Sequence, residues 1–437
     1  LTVLYKGKGG KQDASNTRGI ALMSILAKAY EKILVDRIII FLEKNGQFDQ
    51  NTNGSRKARS AIDNAMLVMM AAEAVLLDGG RLIGAFLDER KCYPTAFRDG
   101  IMHSLHKAGV KGDVWHAMDA MQEGLQCRVR AKQQLSHMFE LLHGILEGAC
   151  SSPPKYSIFA EELARRLRKE NLGLTLTMVD GTTVWLGMLG FVDDKCLLAT
   201  TYLEMQQMLY VVEEVAKEQC SVYTLPKSVF IQFVGRHVSR RGAIALCLKG
   251  MHGVPPDLDG QLVVPQPTID VQGNVAQVNE RLLEVHWWKY VGLILQADMK
   301  WNLMVKQLLA AAKAKAAALG CYLSFAGGLT PELQLHIASA IMHGVMLYGA
   351  PVWGGGKNDM GATAGDMNKL AQVWDGVLRS LLGCARYGSR TLFRAEAGWP
   401  SFLLMATKHI ATYFARVKLM EDDKDAAGAR HVRPVKL

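Results

Sequence analysis

The chain has 437 residues, 49% hydrophobic and 21% charged, with 51 Lys and Arg against 41 Asp and Glu for a formal charge of +10. That length exceeds the ~250 to 300 residues at which single cores stop growing, so two to four subdomains are expected, and the composition excludes disordered and collagen-like classes. No run of about 18 uncharged apolar residues is present, which excludes a membrane-spanning helix, and the eight cysteines lack the spacing of a zinc knuckle or a disulfide framework and fit a reducing compartment.

Residues 1–60 hold eleven Lys or Arg against five Asp or Glu. That imbalance suits a polyanionic partner, or no more than a solvated basic surface. No charged-then-apolar leader precedes Leu4-Tyr5-Lys6-Gly7-Lys8, and the sequence reads as a piece of a longer polyprotein. Residues 1–17 read as an extended basic arm. From 20 to 42, Leu22, Ile25, Leu26, Tyr30, Ile33, Leu34, Ile38 and Phe41 recur at helical spacing. A basic cluster, Arg56-Lys57-Ala58-Arg59-Ser60, precedes a second helix over 62–77, stopped by Gly79-Gly80.

The pattern then changes. The run Leu82-Ile83-Gly84-Ala85-Phe86-Leu87 reads as a buried strand that delivers Asp88 at its end. Residues 101–126 read as helical and 127–130 as a short strand. A Gly, Ser and Pro loop at 144–154 leads into a helix over 156–168. Asp180-Gly181 marks a hairpin between 174–179 and 183–189. Asp193-Asp194, between Phe191-Val192 and Cys196-Leu197-Leu198, stand at a second hairpin tip. A helix over 202–219 and a strand over 229–234 precede a loop-like stretch, 250–278, taken as the main boundary. Beyond it, Trp287 to Gly292 leads into helices near 303–323, 331–347, 366–383 and 402–420.

A carboxylate in an apolar strand is costly to bury unless it is paired or bound to a metal. Asp88, Asp193 and Asp194 reach strand ends from separated segments, which invites a divalent cation; a plain polar turn at 193–194 is the alternative. Two ions about 3.5 to 4 Å apart can stabilise both the attacking and the leaving oxygen of a phosphoryl displacement.

In order and spacing the motifs resemble the reverse transcriptases of non-LTR (LINE-type) retrotransposons, from Leu4 to about Leu419. Leu4 to Lys8, Ser15 to Leu22 and Lys32 to Arg37 are similar to the opening fingers segment. Asn53 to Asp63 is similar to the second fingers motif, Phe86 to Thr95 to the first palm motif, Gly144 to Pro153 to the second and Phe191-Val192-Asp193-Asp194 to the third. The chain departs from the family at Ser55, usually an aromatic, at Glu147, usually Gln, and at Val192, more often Ala.

The resemblance implies an α+β right-hand polymerase fold: fingers (1–80), a palm with an antiparallel sheet (81–250), a loop, primer-grip-like hairpin and helical thumb (251–350), and a C-terminal helical region (351–437). It implies an RNA-directed DNA polymerase that adds dNTPs to a primer 3′-hydroxyl, with Asp88 and Asp193 as ligands of two Mg2+ ions, Mn2+ being the alternative, and Asp194 in support. Arg56 and Arg59 become the triphosphate clamps. Glu89, Glu147, Gly148 and Lys227 lie along the nucleotide, and Tyr93 screens the sugar. Tyr290 and Gly292 fall in the primer grip. Read from the residues alone, Tyr93 is core, Lys227 an exposed loop lysine and the 287–292 aromatics packing against the palm. Lys306, Lys313 and Lys315, spaced along a thumb-like helix, suit the backbone of an RNA–DNA hybrid. The partners implied are an RNA template and a DNA primer, with no membrane and with an endonuclease elsewhere in the parent polyprotein. The place implied is the cell interior, cytoplasm and nucleus, as a ribonucleoprotein. A decayed nucleic-acid-binding scaffold and a group II intron-like enzyme are the alternatives.

Overall fold

The computed structural model describes residues 1–437 apart from 8–9, 11–12, 14–15, 132, 235–262, 270–274, 326–328, 355–360, 385–387 and 426–437. Thr2–Tyr5 (β1) and Thr17–Ile20 (β2) pair antiparallel, and β1 continues through Thr2↔Arg130 onto the small hairpin Arg130–Ala131/Gln134–Leu135. The expected extended arm is therefore a four-stranded sheet edge; Ser15 and Lys8 of the opening motif lie outside the described residues. Helix α1 (Ile25–Lys44) starts at Ser24, whose hydroxyl accepts from Ala27 N, and α2 (Ala61–Leu77) starts at a capping box between Ser60 and Asp63.

The centre is a five-stranded sheet. Leu82–Asp88 (β3) is flanked by Asp194–Ala199 (β5) and Val229–Phe233 (β6). Met188–Phe191 (β4) lies beyond β5, and Leu283–Glu284 (β7) beyond β6. All pairs are antiparallel except β6 with β7. Six of the seven β3 residues are buried, because helices cover both faces. Ile83, Ala85 and Leu87 pack under Ser152–Lys169 (α5) and Tyr202–Glu218 (α6). Leu82 and Phe86 face α2, the hairpin Trp287–Tyr290 (β8) and Leu293–Gln296 (β9), and the later helices.

The expected helix over 101–126 is two helices, Arg98–Lys107 (α3) and Gly112–Ala120 (α4), parted at Gly109. Half of the 250–278 loop is also corrected: Val263–Ile269 and Val275–Arg281 pair as a two-stranded hairpin, and 250–262 lie outside the described residues. Asn302–Phe325 (α7), Pro331–Met346 (α8), Ala364–Leu382 (α9), Arg390–Glu396 (α10) and Phe402–Asp425 (α11) make the C-terminal third helical. One apolar cluster runs from Ala65 through the five-stranded sheet and Tyr290 to Ala406.

Candidate active site

The acidic centre is built by strand register. Asp194, the first residue of β5, lies directly opposite Asp88, the last of β3, and Asp193 occupies the turn between β4 and β5. The β3 end is tied down from behind: Thr224 N donates to Asp88 O (2.7 Å), Asp88 N to Ser228 Oγ (3.1 Å), and Ser228 Oγ to Thr224 O (3.1 Å). That turn carries Lys227, whose Nζ is 3.5 Å from Asp88 Oδ2. Burial raises the Asp194 carboxyl to about 6, with Asp193 and Asp88 adding repulsion, and burial likewise raises Asp193. Two carboxylates that burial keeps from ionising freely, beside a third that draws an ammonium, suit a divalent cation. Among the described residues no three or more His, Cys, Asp or Glu side chains are placed to hold a metal ion by themselves; Mg2+ completed by substrate phosphates needs only one or two carboxylates.

The hairpin tip is strained and braced. Val192 has φ +61°, rare for a β-branched residue. The loop after α1 is latched to it: Asn53 N donates to Gly190 O (2.9 Å) and Gly190 N to Asn51 O (3.0 Å). A Cβ on Gly54 would stand 2.6 Å from Val192 N, so only glycine permits this approach.

Tyr93 borders the same place. Its ring meets Tyr156 edge-on at 5.5 Å, and burial first, then Cys92, Asp193 and Glu147, push its hydroxyl well up. Tyr93 O accepts from Ile145 N (2.8 Å), which binds the 144–150 loop to this strand end. On that loop Glu147 stands 3.8 Å from Arg18, and Glu147 O accepts from Ala21 N (2.6 Å). Gly148, at φ +105°, packs on Ala21 O. The Glu31 carboxylate accepts from Cys150 N, Ser151 N and Ser151 Oγ, closing the start of α5.

The structure does not bring the fingers arginines to the acids as free donors. Arg56 is buried, with Nε and Nη2 on Glu43 at 2.7 and 2.6 Å and Nη1 on Asp49 O and Thr52 O. Arg59 Nη1 donates to Gln50 O and Asn53 Oδ1, both at 2.7 Å, and burial, with Arg56 nearby, lowers it to about 10. Both hold the shape of the loop that latches onto Gly190. Tyr290 also lies inward: its ring packs 5.0 Å from Phe86 and its hydroxyl accepts from Asn64 Nδ2 (3.1 Å). Gly292, at φ +89°, lies against Tyr348, whose hydroxyl donates to Val291 O (2.5 Å).

The Glu89 side chain turns away from Asp88. Its carboxylate accepts from Lys195 Nζ (2.6 Å), which also donates to Tyr223 Oη (3.0 Å), and all three are buried. Burial alone would lower the lysine, but Glu89 overrides it and keeps the ammonium charged. Sequence reasoning missed this pair. The signal was present: each charged residue directly follows a site aspartate, so strand alternation sends it to the opposite, covered face, where a lone charge needs a partner.

The family described as reverse transcriptase (RNA-dependent DNA polymerase) matches residues 8–292. Over 425 residues the chain is 19% identical to the probable RNA-directed DNA polymerase from transposon X-element of Drosophila melanogaster, covering 96% of this chain and 41% of that protein. Over 219 residues it is 24% identical to the retrovirus-related Pol polyprotein from type-1 retrotransposable element R2 of Nasonia vitripennis, covering 50% of this chain and 20% of that protein. The chain thus spans about two fifths and one fifth of these relatives. Among solved structures, telomerase from Candida albicans in complex with a TWJ fragment of telomeric RNA aligns with 93% of this chain and 59% of its own at a TM-score of 0.41 and 11% identity.

Proposed function

The chain belongs to the reverse transcriptase (RNA-dependent DNA polymerase) family, and on that premise we propose that it adds dNTPs to a DNA primer on an RNA template, as the polymerase part of a non-LTR retrotransposon protein. The observation that carries this reading is the opposed register of Asp88 and Asp194 with Asp193 at the tip between them.

Asp88 and Asp193 would hold Mg2+, or Mn2+, with Asp194 in support; bound there, the ions would lower the charge cost of bringing the primer hydroxyl to the triphosphate. The chain's own part is positioning. Tyr93, beside Asp193 and Glu147, would screen the sugar of the incoming nucleotide. Gly148 and Glu147 place the loop that carries the template side of the pair. Lys227, exposed and 3.5 Å from Asp88, would be available to the triphosphate where a cation neutralised Asp88. The exposed Arg18 supplies phosphate charge that Arg56 and Arg59, engaged with the fingers loop, do not. Tyr290 and Gly292 support the primer from beneath, as parts of the palm packing.

The same reading keeps the four-part division at 80/81, 250/251 and 350/351 as fingers, palm, thumb and extension around one shared core. It also keeps an RNA–DNA hybrid along Lys306, Lys313 and Lys315, an endonuclease in the parent protein, and a ribonucleoprotein of cytoplasm and nucleus. No described helix is long and apolar enough to cross a membrane.

The test is primer extension on poly(rA)/oligo(dT) with Mg2+, beside Asp193→Ala. Incorporation by the parent and a loss of about a thousandfold or more in the variant are expected; no incorporation by the parent, or undiminished incorporation by the variant, overturns the reading.

A further inference from the structure

A cavity of about 50 Å3 lies against the Gly144–Ser152 segment, lined by Glu31 of α1, Arg98 of α3, Gln122, and Ser151, Ser152 and Lys155 at the start of α5. Its polar inventory is unbalanced. Lys155 is only 4% exposed, and among the described residues no hydrogen bond or salt bridge holds its ammonium. Arg98 spends Nε on Gly144 O (2.6 Å) and Nη1 on Gln122 O (3.2 Å), leaving Nη2 buried without a partner among the described residues. Gln122 Nε2 and Oε1 are both buried and likewise find no partner among the described residues. Glu31 is the one acid in the lining, and its oxygens already receive three donors from Cys150 and Ser151.

Two cations face one carboxylate that already accepts three hydrogen bonds, one short of its capacity, and free donors still outnumber free acceptors. Water would fill such a space with as many donors as acceptors, whereas an oxyanion brings acceptors in excess and the missing negative charge. The volume corresponds to roughly three or four waters, the room taken by a tetrahedral anion of about five heavy atoms. The Gln122 carbonyl oxygen needs a donor as well, and a phosphate retains a hydroxyl near neutral pH where sulfate and a phosphodiester do not. Burial pushes Lys155 down to about 8, with Glu31 and Asp119 opposing and Arg98 adding to the effect, as expected of an ammonium deprived of water but given no close counter-ion.

We propose that this cavity binds inorganic phosphate, which closes the donor set of Lys155, Arg98 and Gln122 and stiffens the Gly144–Ser152 segment. Arg98 transmits the effect, because the same guanidinium holds Gly144 O. None of Asp88, Asp193 and Asp194 lines the cavity, which shares with the proposed nucleotide site only the Gly144–Ser152 segment, and its test needs no polymerase activity.

The test is isothermal titration and thermal unfolding of the whole chain with sodium phosphate, sodium sulfate and sodium chloride at constant ionic strength, for the parent, Lys155→Met and Gln122→Leu. Phosphate is expected to raise the parent's melting temperature, with sulfate weaker and chloride inert. Lys155→Met should weaken phosphate binding by about tenfold or more, while melting at or above the parent in phosphate-free buffer because it removes an unpaired buried ammonium. Gln122→Leu should narrow the preference of phosphate over sulfate. Equal shifts with phosphate and chloride, or equal phosphate binding by parent and Lys155→Met, would overturn the proposal. So would stabilisation by an RNA–DNA duplex that depends on Lys155 without any response to phosphate, which would reassign the cavity to a backbone phosphodiester.

Discussion

A carboxyl group that burial, with repulsion from Asp193 and Asp88, keeps protonated to about 6 carries a cost that something must relieve, and Asp194 is such a group. Its folded value lies above the ordinary aspartate value, so its contribution favours the fold at low pH and is lost as pH rises through about 6. In divalent-free buffer Asp194→Asn should therefore raise the melting temperature near neutral pH, by a stability gain on the order of 2 kcal/mol before screening at its partly exposed side, and the gain should fade toward about pH 4. Added Mg2+ should narrow the difference, because it relieves three carboxylates in the parent and only Asp88 and Asp193 in the variant. A gain of equal size at both pH values would assign it to packing. Val192 marks the same spot from the backbone side: the positive φ beside Asp193 is held by the Asn51–Gly54 latch, so the strain is local and braced.

Between elements, β3 and β5 are joined twice, by their ladder and by the buried Glu89–Lys195 pair one residue past the aspartates. Removing one partner leaves a buried uncompensated charge, so Lys195→Met should cost about 3 to 5 kcal/mol in urea unfolding, whereas Glu89→Leu with Lys195→Met should recover most of it. Additive losses in the double variant would show that the pair is not coupled. The elements themselves were largely legible in the sequence. Helical periodicity gave α1, α2, α5, α6 and the C-terminal helices, and apolar runs broken by Asp88 and Asp193-Asp194 gave β3 to β5. What escaped has physical reasons. β1 and β2 are mostly exposed, so no apolar alternation marks them. Val263–Ile269 contains Pro265 and Pro267, which argue against a strand when read alone. The basic cluster was visible, but Glu43 at the end of α1, which takes Arg56 out of reach of a ligand, was not, because thirteen residues of sequence hide a bidentate contact. Tyr290 was visible as an aromatic, yet its inward direction depends on Phe86 and Asn64, far away in the chain.

Over the whole molecule, the last described helix returns to the beginning. Arg416 donates to Ala58 O (2.7 Å) and to the Asp63 carboxylate that caps α2, and its guanidinium lies 4.9 Å from the Tyr413 ring. The clasp is only partly buried, so Arg416→Ala should cost about 1 to 2 kcal/mol, with faster amide exchange in α2 and α11 and little change in the palm strands. Uniform acceleration across β3 and β5 would instead show that the clasp is coupled to global unfolding. The apolar side of α2 has the same dependence, since Ala65 to Val75 share their core with Trp353, Trp374 and Phe402.

That closure bears on the order in which the protein is made. Asp63 leaves the ribosome 353 residues before Arg416, an interval on the order of tens of seconds at usual synthesis rates. During it α2 has its cap but neither its clasp nor much of its cover, and presents Val68, Met69 and Val75 to whatever is nearby. A nascent chain of this design leaves that face of α2 open until α11 is made, and a message cut short before α11 leaves Ala58 and Asp63 without the Arg416 contact.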